Sequence, residues 1–256
     1  MICLLNQSKI MKKNILWVTF CAFYLVSCSS SDSDSNNSST GVLVNTMVID
    51  AANASEDDYS LQFLYNGNKL VSIKDSGIVI EQFTYSDGKL TKINYPADGY
   101  YISVEYNANN QVVKFTEIDE EFNEAVKTLV TYSGSTFTKT SYSGDLITQD
   151  FLEQTETYTI ATGNIVQIET ISFGLTDTTA FDFDTKNNPF KNISNYDVFQ
   201  ILDLDIDGNS NNVVSSNYTN NINTISISYN SNNYPEIEQT FSSSGELKET
   251  TTYTYN

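Results

Sequence analysis

The sequence predicts an all-β protein: an antiparallel up-and-down meander of roughly a dozen strands in a curled or barrel-like sheet, with at most one short helix. Three observations predict it. Aliphatic and aromatic side chains recur at every second position, which is the signature of a half-buried strand. Asn, Asp and Gly corners separate these runs, and such residues tolerate the positive φ of hairpin turns. Tyr65, Tyr85, Tyr106 and Tyr132 then mark a recurring unit of strand, turn and strand, as in FTYSDGKLTKINY at residues 83–95.

The elements follow in order. Alternation places strands on Leu61, Phe63 and Tyr65, on Phe83 and Tyr85, on Ile102, Val104 and Tyr106, and on Val130 and Tyr132. Later runs are Tyr158 and Ile160, Phe181 and Phe183, Ile225 to Tyr229, and Tyr253 and Tyr255. Turn signals follow most of them: NGN, SDG, NANN, SGS, TGN, DTKNNP and NSNN. A second run succeeds most turns, at Leu70–Ile73, Leu90–Tyr95, Val112–Ile118, Phe137–Tyr142, Ile165–Phe173 and Ile237–Phe241. The one helix candidate is YDVFQIL, Tyr196 to Leu202, ahead of an acidic loop.

The first forty residues speak to compartment. Met11-Lys12-Lys13 is a basic start, and the apolar stretch 14–26 is too short to span a hydrocarbon core of ~30 Å as a helix, so residues 1–27 read as a signal peptide with a natural start at Met11. Leu25-Val26-Ser27-Cys28 resembles the bacterial lipobox, which implies cleavage before Cys28 and acylation of its thiol. Residues 28–45 then form a Ser/Asp/Asn tether, and 46–256 a single β domain. Ser29 resembles outer-membrane sorting, and the acidic serine stretch resembles surface-export signals of the Bacteroidota. The expected localisation is therefore the outer membrane, on its periplasmic side or at the cell surface.

Composition excludes much chemistry. The 256 residues carry 32 Asp and Glu, 13 Lys, no Arg and no His, for a net charge of −19. Ten Lys against 32 acids leave −22 after cleavage at Cys28. Nucleic acid is excluded as a partner, because phosphate neutralisation needs clustered cations. A triad built on His is unavailable, and with Cys3 and Cys21 removed and Cys28 acylated no free thiol remains for catalysis or zinc.

Two stretches are candidate sites. Asp203, Asp205, Asp207 and Asn209, with Gly208, match the opening of a calcium loop, in which alternating carboxylates surround a hard cation. Val214 stands where the bidentate Glu belongs, so the alternative is an amphipathic edge with Leu202, Leu204 and Ile206 inward. Calcium is the one cofactor these residues would take. Tyr100 and Tyr101 are candidates for stacking on a sugar; as neighbours on a strand they point to opposite faces, so the alternative places one in the core. Asp119, Glu120, Glu121 and Glu124 read as a solvated loop.

The phrase YSDGKLTKI resembles the YD-repeat family, which implies a β-sheet built from tyrosine, turn and aliphatic repeats. With the lipobox, and with FDFDTKNNPFKNI at 181–193 and NNVVS at 211–215, the chain resembles uncharacterised lipoproteins of the Bacteroidota whose domain is described as porin-like. That resemblance implies a β-meander and no assigned activity. The leading functional expectation is a lipid-anchored envelope protein, not an enzyme, presenting one sheet face to a glycan or protein. The alternatives are a carboxylate-dependent hydrolase acting on polysaccharide and a small-ligand or lipid carrier with a cavity inside the sheet.

Overall fold

The computed structural model describes residues 41–52, 58–202, 204, 206, 208–219 and 221–256. Its strands are β1 (Val44–Ala51), β2 (Tyr59–Asn66), β3 (Lys69–Asp75), β4 (Ile78–Ser86), β5 (Lys89–Tyr95), β6 (Tyr100–Tyr106), β7 (Val112–Asp119) and β8 (Glu124–Ser133). They continue as β9 (Thr136–Gly144), β10 (Gln149–Ala161), β11 (Asn164–Ser172), β12 (Leu175–Phe183), β13 (Val213–Tyr218), β14 (Asn221–Tyr229), β15 (Pro235–Phe241) and β16 (Leu247–Tyr255). Each strand pairs antiparallel with its sequence neighbours, and β1 pairs with β16 to close a barrel of sixteen strands.

The meander expected from the sequence is present, but the strand count exceeds the expected dozen. The runs read from alternation omitted β1 and β13. β1 begins at Val44, inside the stretch that composition assigns to the tether, and β13 begins in the polar phrase NNVVS. Closure also leaves the sheet without a free edge. Closure gives every edge strand a partner, through pairs such as Met47 with Tyr253 and Ile49 with Thr251.

Alternation sorts the wall into two surfaces. Leu61, Phe63, Ile73, Phe83, Ile93 and Ile102 are buried inward, whereas Gln62, Gln82, Thr84, Glu105 and Thr131 stand exposed between them. The outer wall is thus rich in Thr, Gln and charge, and the interior in rings and aliphatics. Tight turns hold the strands together. At Asp87 and Gly88 both φ angles are positive, 50° and 79°, as a type I′ hairpin requires, and only Gly adopts such an angle without cost.

The tyrosines that mark the repeat have a second use besides packing. In β3, β5, β7 and β15 a bulge follows the first buried residue, so that Val71, Thr91, Val113 and Glu236 have no direct partner. The carbonyl just before each extra residue accepts a phenol from the next repeat or hairpin. Tyr85 donates to Leu70 at 2.9 Å, Tyr106 to Leu90 at 2.6 Å, Tyr132 to Val112 at 2.9 Å and Tyr255 to Pro235 at 2.6 Å. Lys69 and Lys89 lie over the same rings, 5.7 Å from Tyr85 and 5.5 Å from Tyr106. The bulges and phenols together stitch these four hairpins to neighbouring ones.

Burial, then the charge of Asp197, pushes the Tyr106 phenol up to about 12. A group raised in the folded state stabilises below its unfolded value, here 10.0, and that contribution is lost as pH climbs through 12. Tyr106→Phe is expected to cost about 1 kcal/mol, a melting temperature lower by roughly 2–4 °C, with the deficit shrinking above pH 10. Thermal melts of both proteins at pH 8 and pH 11 check this.

The long connection from Asp184 to Asn212 crosses one end of the barrel as a plug. It contains α1 (Tyr196–Leu202), the helix expected from YDVFQIL, which buries Val198, Phe199, Ile201 and Leu202. Phe199 packs edge-on against Phe83 at 5.7 Å, and Phe190 meets Phe63 at 5.4 Å and Tyr253 at 6.4 Å. Backbone bonds tie the plug to rim hairpins on several sides: Ser194 N–H to Asn68 O (2.8 Å), Asn187 N–H to Asn233 O (3.0 Å) and Ser210 N–H to Gly163 O (3.2 Å). At Gly208 the returning chain lies so close to α1 that a Cβ would sit 2.6 Å from the Tyr196 carbonyl. The described stretch starts and finishes at this end of the barrel: Asn256 N–H donates to Leu43 O at 2.9 Å, and Asn192 of the plug donates to Val42 O at 2.8 Å.

Candidate functional site

Three places on the barrel carry chemistry beyond what closure requires. The first is a charged patch on the inner wall. Lys139 on β9 is 4% exposed, lies 3.3 Å from Glu156 on β10 and sits 4.6 Å from the Tyr158 ring centre. Tyr158 in turn stacks on Phe137 at 4.5 Å. Burial pushes the nearby Glu117 carboxyl on β7 above its ordinary range, and the Lys139 charge partly opposes this. Glu81 on β4 is also buried, and both glutamates act on Tyr100, whose phenol is raised chiefly by burial. This arrangement sets a cation and carboxyls among aromatic rings on the inner wall. Its burial denies a polymer access to the carboxyls.

The second place is a recess in the wall at the plugged end, with a volume of about 440 Å³. β11 and β12 pair only from Gln167 and Ala180 onward, so their ends beside the plug splay apart. The wedge is lined by Phe181 and Phe183 from β12, by Asp182 and Asp184, and by the amides of Asn164 and Asn211. Asn211 N–H donates to Asn164 Oδ1 at 3.0 Å, and Asn164 Nδ2 donates back to Asn211 Oδ1 at 3.1 Å. Asp184 accepts hydrogen bonds from the Tyr229 phenol, from Lys186 N–H at 3.0 Å and from Asn212 N–H at 3.1 Å. Asn212 is 2% exposed; its Nδ2 holds Asp184, while its Oδ1 has no partner among the described residues.

The third place is the end opposite the plug, where the described hairpins are short and carry large apolar side chains into water. Ile147 is 91% exposed, Phe173 80% and Leu175 72%; Phe151 and Leu152 are exposed on β10, and Ile78 is exposed at the β3–β4 tip elsewhere on the same end. The Phe151 and Phe173 rings lie 6.5 Å apart across neighbouring hairpins. Phe173 takes φ of 51°, a conformation that a bulky residue seldom adopts. Acids such as Asp145, Asp150 and Asp177 intersperse these tips.

The residues singled out from the sequence fare differently. Tyr100 faces inward and stacks on Tyr95 at 4.2 Å, while Tyr101 faces outward with Lys92 3.7 Å from its ring centre. They form no shared platform. Asn209 is buried in the plug, where its Oδ1 accepts Ile165 N–H at 2.7 Å and Gln200 Nε2 at 2.9 Å. Asp203, Asp205, Asp207 and Cys28 lie outside the described residues. The recess went unread because its Asn and Asp residues look like ordinary turn formers. The signal available was the length of the 184–212 connection in a chain of tight hairpins.

No family model matches the chain, and no curated protein matches it. Solved structures do. A porin-like protein from Bacteroides vulgatus superposes with a TM-score of 0.55 at 12% identity, covering 84% of this chain and 99% of that one. A porin-like protein from Bacteroides uniformis gives a TM-score of 0.57 at 10% identity, covering 83% and 98%. At such identities the likeness shows the fold: this chain is an all-β antiparallel barrel of the architecture those two proteins share.

Proposed function

We propose that the protein is a lipid-anchored barrel of the bacterial cell envelope that binds a partner protein through the end opposite its plug. The lipobox-like Leu25–Cys28 motif, the serine-rich tether and the two porin-like neighbours support the address. The observation that carries the binding role is the crown of exposed apolar tips around Ile147, Phe173 and Leu175. Leaving such side chains in water does nothing for the fold, and clustered patches of this kind mark interaction surfaces. The crown lies at the end of the barrel opposite the plug, away from Val42, Leu43 and Asn256. The outer wall of Thr, Gln and charged residues suits water, whereas a barrel set in lipid needs an apolar outer band. Interspersed acids and a chain charge of −19 favour a partner with an apolar centre and basic rim over a second copy or an anionic lipid.

The test uses the full-length protein in cells. A photoreactive phenylalanine analogue at position 173 is expected to give a discrete protein adduct, absent when the analogue replaces Thr131 on the outer wall. Metabolic labelling with a fatty acid is expected to mark the wild type and to miss Cys28→Ser. Identical adduct patterns at 173 and 131 would remove the binding role, and an unlabelled wild type would remove the anchor.

A further inference from the structure

The tyrosine stitching lapses at β11, beside the wall recess. β11 carries the same bulge as β3, β5, β7 and β15: Ile165 is its first buried apolar residue and Val166 the extra one. The residue on β12 in the register of Tyr85 is Phe183, since Phe183 pairs with Val213 across a bulge as Tyr85 pairs with Leu90. Phe183 has no hydroxyl to offer. Here the neighbouring strands also splay, and the recess of about 440 Å³ opens between Val166 and Phe183. Asn164, Asn211, Asp182 and Asp184 supply the polar side of its lining.

We infer that this recess binds a neutral sugar residue, whose hydroxyls occupy the place of the missing phenol. The lining suits that chemistry. The exposed Asp182 carboxylate and the paired Asn164 and Asn211 amides offer acceptors and donors on one side, and Phe181, Phe183 and Val166 offer an apolar surface for the sugar's C–H face. No cation lines the recess, and Asp182 and Asp184 repel an anionic ligand. The volume falls in the range of small-molecule sites. The position, in the side wall beside the plug, leaves the apolar crown free, so this site is independent of the protein partner proposed above.

The experiment is ligand-observed saturation-transfer NMR on the full chain with D-glucose, D-galactose, D-mannose and N-acetyl-D-glucosamine, with D-glucuronate and calcium chloride as separate controls. At least one neutral sugar is expected to bind saturably. Asp182→Asn is expected to weaken it at least tenfold. Phe183→Tyr restores the absent phenol; it is expected to abolish binding while melting no lower than the wild type, which separates loss of the site from loss of the fold. The inference is overturned if no neutral sugar in the panel binds, if glucuronate binds as well as the neutral sugars, or if Phe183→Tyr binds normally. Stabilisation by calcium alone that disappears in Asp182→Asn would make the recess a cation site and overturn it too.

Discussion

Lys139→Met is expected to destabilise the barrel by about 3–5 kcal/mol at neutral pH, because it removes one member of a buried ion pair and leaves the other. Lys139 is 4% exposed and lies 3.3 Å from Glu156, so methionine keeps the packing volume and deletes only the charge. The pH dependence carries the argument further. Burial already holds Glu117 above its ordinary range, and Lys139 is the cation that opposes it. A carboxyl raised in the folded state adds stability that is complete below its unfolded value of 4.5 and is lost as pH rises through the folded value. Without Lys139 the folded value climbs further. The deficit is therefore largest near neutrality and shrinks as pH falls toward 4.5. Urea unfolding at pH 7 and pH 5 reads both parts. A deficit under about 1 kcal/mol, or one equal at the two pH values, would mean that the inner-wall charges are solvated.

Phe199→Ala carries the second large effect, about 3–5 kcal/mol, because it empties a fully buried ring position at the centre of the plug. Phe199 is the contact by which α1 holds Phe83 of the wall. A short helix of this kind has little stability of its own, so its order comes from that contact and from the rim bonds at Asn68, Gly163 and Asn233. The loss should appear in global unfolding, as a shift of the urea midpoint with unchanged slope. A wild-type midpoint in the variant would make the plug a dispensable cover rather than part of the core.

The residues that were legible in the sequence are those whose role is local. Phe83 and Tyr85 alternate with Gln82 and Thr84, and that period alone assigns the buried face. Asp87 and Gly88 declare a hairpin turn by their tolerance of positive φ. Tyr196–Leu202 stood out as the one helical phrase and is the one helix among the described residues. Tyr100 and Tyr101 divide between the two faces as alternation requires. What was not legible needed a distant partner. The phenol of Tyr106 finds the Leu90 carbonyl only because a bulge interrupts the ladder there, and Lys139 becomes a buried cation only when β10 brings Glu156 beside it. The wall recess needs β11, β12 and the plug at once, through Asn164, Asp184 and Asn211.

By itself the chain determined a zigzag of antiparallel strands, the corners between them, a short helix and an acidic, His-free and Arg-free chemistry, since propensity, alternation and turn preference act over a few residues. Tertiary structure alone decided that β1 meets β16, that sixteen strands close, that one end is plugged and that the other shows its apolar tips. Closure joins Met47 to Tyr253, and no local preference records such a pairing. It forms because an open sheet would leave two edges of unpaired N–H and C=O groups in water, and the wall's twist brings those edges to each other.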